Sequence, residues 1–132
     1  MIKLLENFYR VAGIDLGTTN TLVYVKGHGI VVDQPTLVAI NNRTEQILAI
    51  GDEAKKMLDR VPAHVTLIKP LMNGVISDFE MTEEILKHFL KQAGGKSLVS
   101  RYHLAAITIP TSLTEVERKS VEHIKLLFKI GC

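Results

Sequence analysis

The sequence has almost no cysteine and no marked excess of charge of either sign. Its one cysteine is Cys132, so no internal disulfide is possible, which fits a reducing cytoplasm. The formal net charge is +2 and no run of Lys or Arg is present, so the composition does not indicate a nucleic-acid partner. A hydrophobic fraction of 46% and a charged fraction of 23% are typical of an ordinary globular domain.

Long apolar segments are also missing. No stretch approaches the roughly 20 apolar residues that would span a bilayer, and residues 1–10 lack the apolar core of a secretory signal. Residues 1–10 are mildly amphipathic, which suits either an N-terminal extension or a weak membrane-surface helix. With no repeat or low-complexity block, the 132 residues are enough for one compact domain.

The first half of the chain is predicted to be rich in short strands. Apolar, β-branched segments alternate with turns at residues 16–20, 27–29 and 42–46, and this succession predicts a β-meander. Asp52 is predicted to cap a short helix that ends before Pro62. Residues 65–68 are a further predicted strand, and a turn is predicted at residues 73–74.

Helical spacing dominates the second half. One predicted helix has its apolar face at Met81, Ile85, Phe89 and Ala93 and ends at residues 94–95. Residues 104–109 are a predicted buried strand. A second helix is predicted from Thr114, with four residues turned inward: Val116, Val121, Ile124 and Phe128. This order of elements fits a mixed α/β domain.

The segment with the clearest chemistry is a predicted strand–turn–strand. Asp15 ends an apolar strand, and Gly17, Thr18, Thr19 and Asn20 lead directly into the next strand. Such a turn can aim backbone N–H groups and two hydroxyls at one point, where phosphate oxygens are natural acceptors. Asp15 could hold Mg²⁺ through water. A plain β-hairpin turn remains the alternative. Both glycine-rich nucleotide motifs are absent from the sequence, so neither a P-loop nor a dinucleotide fold is supported.

Several separated motifs carry a resemblance to a known family. Residues 13–20, which read Gly-Ile-Asp-Leu-Gly-Thr-Thr-Asn, resemble the first phosphate motif of actin, sugar kinases and DnaK-type chaperones. Residues 20–27, 51–58, 70–80 and 109–118 narrow the resemblance to the MreB family of bacterial actin-like cell-shape proteins, in their N-terminal portion. A DnaK-like chaperone ATPase lobe is the alternative within the superfamily, and residues 21–27 disfavour it.

The resemblance implies the first lobe of an actin-like ATPase fold, an α/β fold with a ribonuclease H-like motif and a mixed, five-stranded-type sheet with flanking helices. Subdomain IA would comprise residues 1–32 and 77–132, and a small inserted subdomain IB residues 33–76. The resemblance further implies an ATP- and Mg²⁺-dependent protein that polymerises with itself. It would work with the cell-wall elongation machinery to maintain rod shape, in the cytoplasm at the inner face of the plasma membrane.

Specific site residues follow from the same resemblance. The phosphate-binding and Mg²⁺-binding set would be Asp15, Gly17, Thr18, Thr19 and Asn20. Glu117 would orient or activate the attacking water, and Lys55 would lie near the γ-phosphate. From the residues alone, Thr114 and Glu117 also form a capping box, and Lys55 is an ordinary solvated helix lysine.

A membrane-contacting tip is predicted between the second-half helix and the strand that follows it. Leu98 and Val99 are flanked by Lys96 and Arg101, a pattern that suits insertion into an anionic lipid surface. The alternative is that Leu98 and Val99 fold back onto the domain.

The family pattern continues past the matched region with a second phosphate motif, an adenine-binding region and a second lobe. ATP binding in this fold uses both lobes, so we expect poor ATPase activity from this chain alone. A function of a different class is a nucleotide-free interaction module that caps filaments, and the ATP affinity of the chain distinguishes the two.

Overall fold

The computed structural model describes residues 10–94, 102–108, 114–116, 118–119 and 122–123. The strands and helices within these ranges are β1 (Arg10–Leu16), β2 (Asn20–Val25), β3 (Gly29–Pro35), β4 (Val38–Asn41), β5 (Ile47–Ile50), α1 (Asp52–Lys55), β6 (Val65–Ile68), β7 (Leu71–Met72), β8 (Val75–Ile76), α2 (Phe79–Gly94) and β9 (Tyr102–Thr108). The predicted strands and the first predicted long helix are thereby confirmed, with bounds that differ by a few residues.

A mixed four-stranded sheet forms the larger part of the described fold. Its strand order is β3-β2-β1-β9, with β1 antiparallel to β2, β2 antiparallel to β3, and β1 parallel to β9. The chain returns from β3 to β9 partly through α2, whose apolar face packs on this sheet. The buried cluster between them includes Ile14, Val23, Ile85 and Phe89, so the predicted apolar face of α2 is the face that builds the core.

A second, smaller sheet has the antiparallel order β5-β4-β6. Together with α1, it encloses a separate buried cluster of Leu37, Ala39, Ala54 and Val65. The short hairpin of β7 and β8 follows, with positive φ angles of 51° at Asn73 and 74° at Gly74. Two consecutive residues with positive φ are what a tight two-residue hairpin turn requires, so the turn predicted there is confirmed.

The start of α1 differs from the prediction. Gly51, not Asp52, occupies the N-cap position, and Asp52 is the first helical residue. Only glycine fits at the N-cap position, because a Cβ there would lie 3.0 Å from the Phe89 ring and would clash with Gln34 Oε1. The φ angle of Gly51 is 67°, which also favours glycine. Gln34 Oε1 takes over the capping role, because it accepts the Asp52 N–H at 3.2 Å.

The prediction that Val116 faces the core is wrong, since this side chain is 70% exposed. Helical periodicity sets the side of the helix on which a residue lies, but not whether another element reaches that side. The helix does begin where predicted, because the Arg118 N–H donates to the Thr114 carbonyl at 3.0 Å. Val121, Ile124 and Phe128 lie outside the described residues.

The division into subdomains stays a prediction. The larger sheet uses residues 10–35 and 102–108, and the smaller sheet uses residues 38–68. No helix among the described residues is both long enough and apolar enough to cross a membrane.

Candidate functional site

The turn between β1 and β2 has the predicted strand–turn–strand form, with β1 ending at Leu16 and β2 beginning at Asn20. The Gly17 N–H donates to the Asn20 carbonyl at 3.1 Å and closes the turn. A Cβ on Gly17 would lie 2.5 Å from that same oxygen, closer than any side chain tolerates. Glycine at this position is therefore a requirement of the turn geometry.

Backbone donors of this turn are left available. Within the part of the chain that the structure describes, the N–H groups of Thr18 and Thr19 have no acceptor. Thr19 and Asn20 are exposed, so water or a ligand can reach the turn. Neighbouring N–H groups that lack an internal acceptor form a site suited to an anion.

The β7–β8 hairpin holds the side chain of Thr18. The Gly74 N–H donates to Thr18 Oγ1 at 2.9 Å. A hydroxyl that accepts one bond still has its own hydrogen to donate. Thr18 can therefore add a side-chain donor to the backbone donors of the turn.

The carboxylate of Asp15 lies at the end of β1, beside the turn. Thr108 on β9, its partner in the parallel register, donates its hydroxyl to Asp15 Oδ1 at 2.7 Å. Asp15 is exposed, which leaves further lone pairs open to water. Among the described residues no group of three or more His, Cys, Asp or Glu side chains is placed to hold a metal ion. The single carboxylate of Asp15 fits Mg²⁺, which keeps most of its waters and needs only one or two carboxylates.

The carbonyl groups of the turn are held by the segment that follows β3. Thr36 donates its hydroxyl to the Gly17 carbonyl at 2.7 Å and its N–H to the Thr19 carbonyl at 2.9 Å. The side-chain amide of Asn20 donates to Asp33 Oδ1 at 2.8 Å. The carbonyl oxygens of Gly17, Thr19 and Asn20 are thus engaged, whereas the N–H groups of Thr18 and Thr19 stay available, which is the polarity that anion binding needs.

Sequence reasoning missed the residues that support the turn. These are Thr36, Thr108 and, as a partner of Thr18, Gly74. Each comes from a different element, and no local pattern links any of them to the turn. The only available signal was that Thr36 and Thr108 are polar residues at the ends of predicted apolar strands.

The predicted residue Lys55 lies on α1 and is exposed, and it lines a surface pocket with Asp52, Glu53 and Leu58. No hydrogen bond among the described residues joins it to the turn. Its neighbour Lys56 donates to Glu53 at 2.6 Å, and this hydrogen bond raises the pKa of Lys56. Lys55 has no such ion pair in the described part of the chain, so it is the lysine of the two whose charge is available.

The other predicted site residues lie outside the described residues. They are Glu117, Leu98 and Val99, and the roles assigned to them stay predictions.

Solved structures with a similar fold define the class. The chain matches MreB5 of Spiroplasma citri bound to ADP with a TM-score of 0.78 and 29% identity, over 93% of this chain and 36% of that one. A second MreB5 structure, bound to AMPPNP, gives the same TM-score and identity. The MamK double helical filament matches with a TM-score of 0.70 at 21% identity, a likeness of fold alone. The fold is that of actin-like proteins, in the part that contains the turn between β1 and β2.

The family model described as MreB/Mbl protein matches residues 9–130. The chain is 45% identical to the cell shape-determining protein Mbl of Bacillus subtilis over 115 residues, which is 87% of this chain and 34% of Mbl. It is 42% identical to the cell shape-determining protein MreB of Escherichia coli K12 over 112 residues, 82% of this chain and 32% of MreB. The chain therefore belongs to the MreB/Mbl family and spans about a third of the length of these curated relatives.

Proposed function

We propose that this chain is the nucleotide-binding lobe of an ATP-dependent, filament-forming cell-shape protein of the MreB type. The observation that carries the proposal is the polarity of the turn at residues 17–20. The carbonyl oxygens of Gly17 and Thr19 are bonded to Thr36, the N–H groups of Thr18 and Thr19 are available, and the Asp15 carboxylate lies beside the turn. A phosphate chain with a bound cation matches this arrangement of donors and acceptor.

The nucleotide would be held by a small set of residues. Gly17, Thr18, Thr19 and Asn20 would line the β- and γ-phosphates, with the N–H groups of Thr18 and Thr19 as donors, and Asp15 would hold Mg²⁺ through its waters. When bound, Mg²⁺ neutralises part of the phosphate charge. Support comes from the MreB5 structures, which are described as bound to ADP and AMPPNP.

ATP hydrolysis is proposed for a protein that contains both lobes. Glu117 would orient or activate the attacking water, and Lys55 would place positive charge near the γ-phosphate. In phosphoryl transfer of this kind, positioning and charge stabilisation do most of the catalytic work.

Self-association into filaments, attachment to the membrane and work with the cell-wall elongation machinery complete the proposal. The likeness to MamK, whose structure is a double helical filament, supports the fold of a filament protomer. Leu98 and Val99 would meet the inner face of the plasma membrane from the cytoplasm. The identities of 42–46% to MreB and Mbl proteins favour this function over that of a DnaK-like chaperone.

Binding is tested by titrating the ¹⁵N-labelled chain with MgATP, MgADP and AMPPNP, and following the amide resonances of residues 17–20. We expect saturable shifts at Thr18, Thr19 and Asn20, and weaker binding after Asp15→Asn. Thr44→Val, at an exposed turn elsewhere, is the control and should bind like the unaltered chain. The proposal fails if millimolar nucleotide leaves the resonances of residues 17–20 unmoved.

Hydrolysis is tested in a chimera in which residues 9–130 of this chain replace the matching segment of Bacillus subtilis Mbl. Glu117→Ala should slow hydrolysis by about a hundredfold and leave ATP affinity nearly unchanged, as expected for a group that positions water. Glu115→Ala, two residues away and exposed, is the matched control. Equal losses of affinity and turnover would assign Glu117 to helix capping instead.

Membrane attachment is tested with the same chimera and anionic liposomes. Replacing both Leu98 and Val99 by Ser should reduce co-sedimentation of the assembled protein, since each protomer repeats the weak contact and avidity multiplies it. Unchanged binding, also after deletion of residues 1–10, would remove the membrane role from this loop.

A further inference from the structure

A buried pair of threonine hydroxyls lies directly behind the turn at residues 17–20. Thr21 on β2 is 0% exposed, Thr36 after β3 is 1% exposed, and their Oγ1 atoms are 2.8 Å apart. Thr36 Oγ1 is also 2.7 Å from the Gly17 carbonyl oxygen. The two hydroxyls and the carbonyl thus form one continuous hydrogen-bonded chain.

The direction of this chain follows from counting hydrogens. A carbonyl oxygen can only accept, so the single hydrogen of the Thr36 hydroxyl points to Gly17. The hydrogen between the two hydroxyls must then come from Thr21. Donation therefore runs from Thr21 to Thr36 to Gly17, and each bond polarises the next. Reversing it would leave the Gly17 carbonyl without this donor, which is costly at a partly buried position.

Thr36 controls two peptide planes of the turn at once. Besides the Gly17 carbonyl, it holds the Thr19 carbonyl through its own N–H at 2.9 Å. In a trans peptide the N–H of the next residue points opposite to the carbonyl, and the described chain has no cis peptide bond. The N–H groups of Thr18 and Asn20 must therefore point away from Thr36.

We propose that Thr36 is a positioning residue for phosphate binding, acting through the chain of hydrogen bonds from Thr21 to Gly17. The hydroxyl chain sets the direction of the Thr18 N–H, the backbone N–H of Thr36 sets that of the Asn20 N–H, and both thereby set the affinity of the turn for the phosphates of a nucleotide. The inference rests on the proposed function, because it takes the turn as the nucleotide-binding element. Thr36 itself need not touch the phosphates.

Valine at position 36 is the informative substitution, because it keeps the shape of threonine and removes the hydroxyl. Thr36→Val leaves the Gly17 carbonyl without its donor and the Thr21 hydroxyl without its acceptor. The peptide between Gly17 and Thr18 can then rotate. Thr36→Ser restores the hydroxyl and with it the direction of donation.

Two readouts on the full chain test the inference. The ¹³C resonance of the Gly17 carbonyl reports its hydrogen bond without any nucleotide, and MgADP titration followed at the Thr18 and Asn20 amides gives the affinity. For Thr36→Val we expect an upfield shift of the Gly17 carbonyl and about tenfold weaker MgADP binding. For Thr36→Ser we expect both readouts to stay close to those of the unaltered chain.

Thr82→Val is the matched control. Thr82 is also 0% exposed, and its hydroxyl donates to the Asp78 carbonyl at 2.6 Å, but it lies on α2 and not at the turn. This variant loses the same kind of bond, so its stability should fall while its MgADP affinity stays unchanged. If Thr36→Val does not fold, Thr21→Val keeps the test open, with an expected two- to threefold loss of affinity because Thr36 then lacks only its own donor.

The outcomes separate this inference from the proposed function. If the unaltered chain shows no response of residues 17–20 to MgADP, the proposed function fails and the inference fails with it. If the unaltered chain binds, and a folded Thr36→Val binds equally well or leaves the Gly17 carbonyl resonance unmoved, only the role of Thr36 is overturned. A loss of affinity in Thr82→Val equal to that in Thr36→Val would reduce Thr36 to a structural residue.

Discussion

The two sheets of this chain differ in how much core they have and in what they hold in place. Among the described residues, the larger sheet and α2 supply nine members of a buried cluster of thirteen, which Val38 and Ile50 of the smaller sheet and Leu71 and Ile76 of the β7–β8 hairpin complete. The second cluster has four members, from the smaller sheet, α1 and Leu37. The turn at residues 17–20 extends from the larger sheet, and Lys55 lies on α1, which packs with the smaller sheet. The available donors of the turn thus rest on the part of the molecule with the larger buried cluster, and Lys55 rests on the part with the smaller one.

A large-to-small substitution in the larger buried cluster should change the free energy of unfolding most. Phe89 is 0% exposed on α2, and Phe89→Ala should lower the free energy of unfolding by about 4 kcal/mol. Leu37→Ala, in the smaller cluster, should cost about 2 kcal/mol, because a small cluster near the surface can close over the gap. Urea unfolding of both variants measures the difference. Equal costs would contradict a division of the chain into a larger and a smaller core.

The junction of the two regions should be the next most sensitive place. Gly51 has a positive φ of 67°, and a side chain there would meet Gln34 and Phe89, so Gly51→Ala should cost about 2 kcal/mol or more. Gly27→Ala is the control, since Gly27 also has positive φ but faces open space, and it should cost about 1 kcal/mol. The comparison of their urea midpoints isolates the clash from the backbone strain. A smaller cost for Gly51→Ala than for Gly27→Ala would show that Gln34 and Phe89 move aside easily.

Gly51 also marks what could be predicted from the sequence and what could not. The strands and α2 were predictable because their signals are local: buried and exposed residues alternate along β2, and Met81, Ile85 and Phe89 recur at helical spacing. The cap of α1 was not predictable, because it depends on Gln34, which lies on β3 and accepts the Asp52 N–H. Glycine at position 51 makes room for that contact, and no feature of residues 51–55 indicates it.

The candidate site divides in the same way. The donors and the carboxylate are contiguous in sequence, so their chemistry could be recognised from residues 15–20 alone. Their supports are not contiguous: the partners of Gly17, Thr18 and Asp15 lie 19, 56 and 93 residues away along the chain. Such contacts are set by the register of β1 against β9 and by the path of the chain between the sheets, which local patterns do not contain.

Loss of the Thr108 hydroxyl, one of these supports, should change the stability of the larger sheet by a smaller amount. Thr108→Val removes the hydroxyl that donates to Asp15 Oδ1 and should cost about 0.5–1 kcal/mol, the net value of a single exposed hydrogen bond. Thr66→Val is the control on β6 of the smaller sheet, where Thr66 is exposed, and we expect almost no change. Thermal unfolding of the two variants measures the contrast. Matching losses would mean that the hydroxyl of Thr108 contributes nothing specific.

The smallest expected change in stability concerns the two lysines of α1, and it bears on whether the smaller region reaches the site at all. Lys56 is engaged by Glu53 in an exposed pair, and such pairs contribute little to stability. Lys55 has no ion pair among the described residues. Neither Lys55→Ala nor Lys56→Ala should therefore measurably change the free energy of unfolding.

Nucleotide preference, unlike stability, should separate Lys55 from Lys56. If Lys55 adds its charge near the γ-phosphate, Lys55→Ala should lower the ratio of MgATP to MgADP affinity by about threefold, because only the triphosphate carries the group it would meet. Lys56→Ala should leave the ratio unchanged, since the Glu53 carboxylate already pairs with that charge. Titration of both variants, followed at the amides of residues 17–20, measures the ratio. An unchanged ratio in Lys55→Ala would confine the candidate site to the larger sheet and the segments that support its turn.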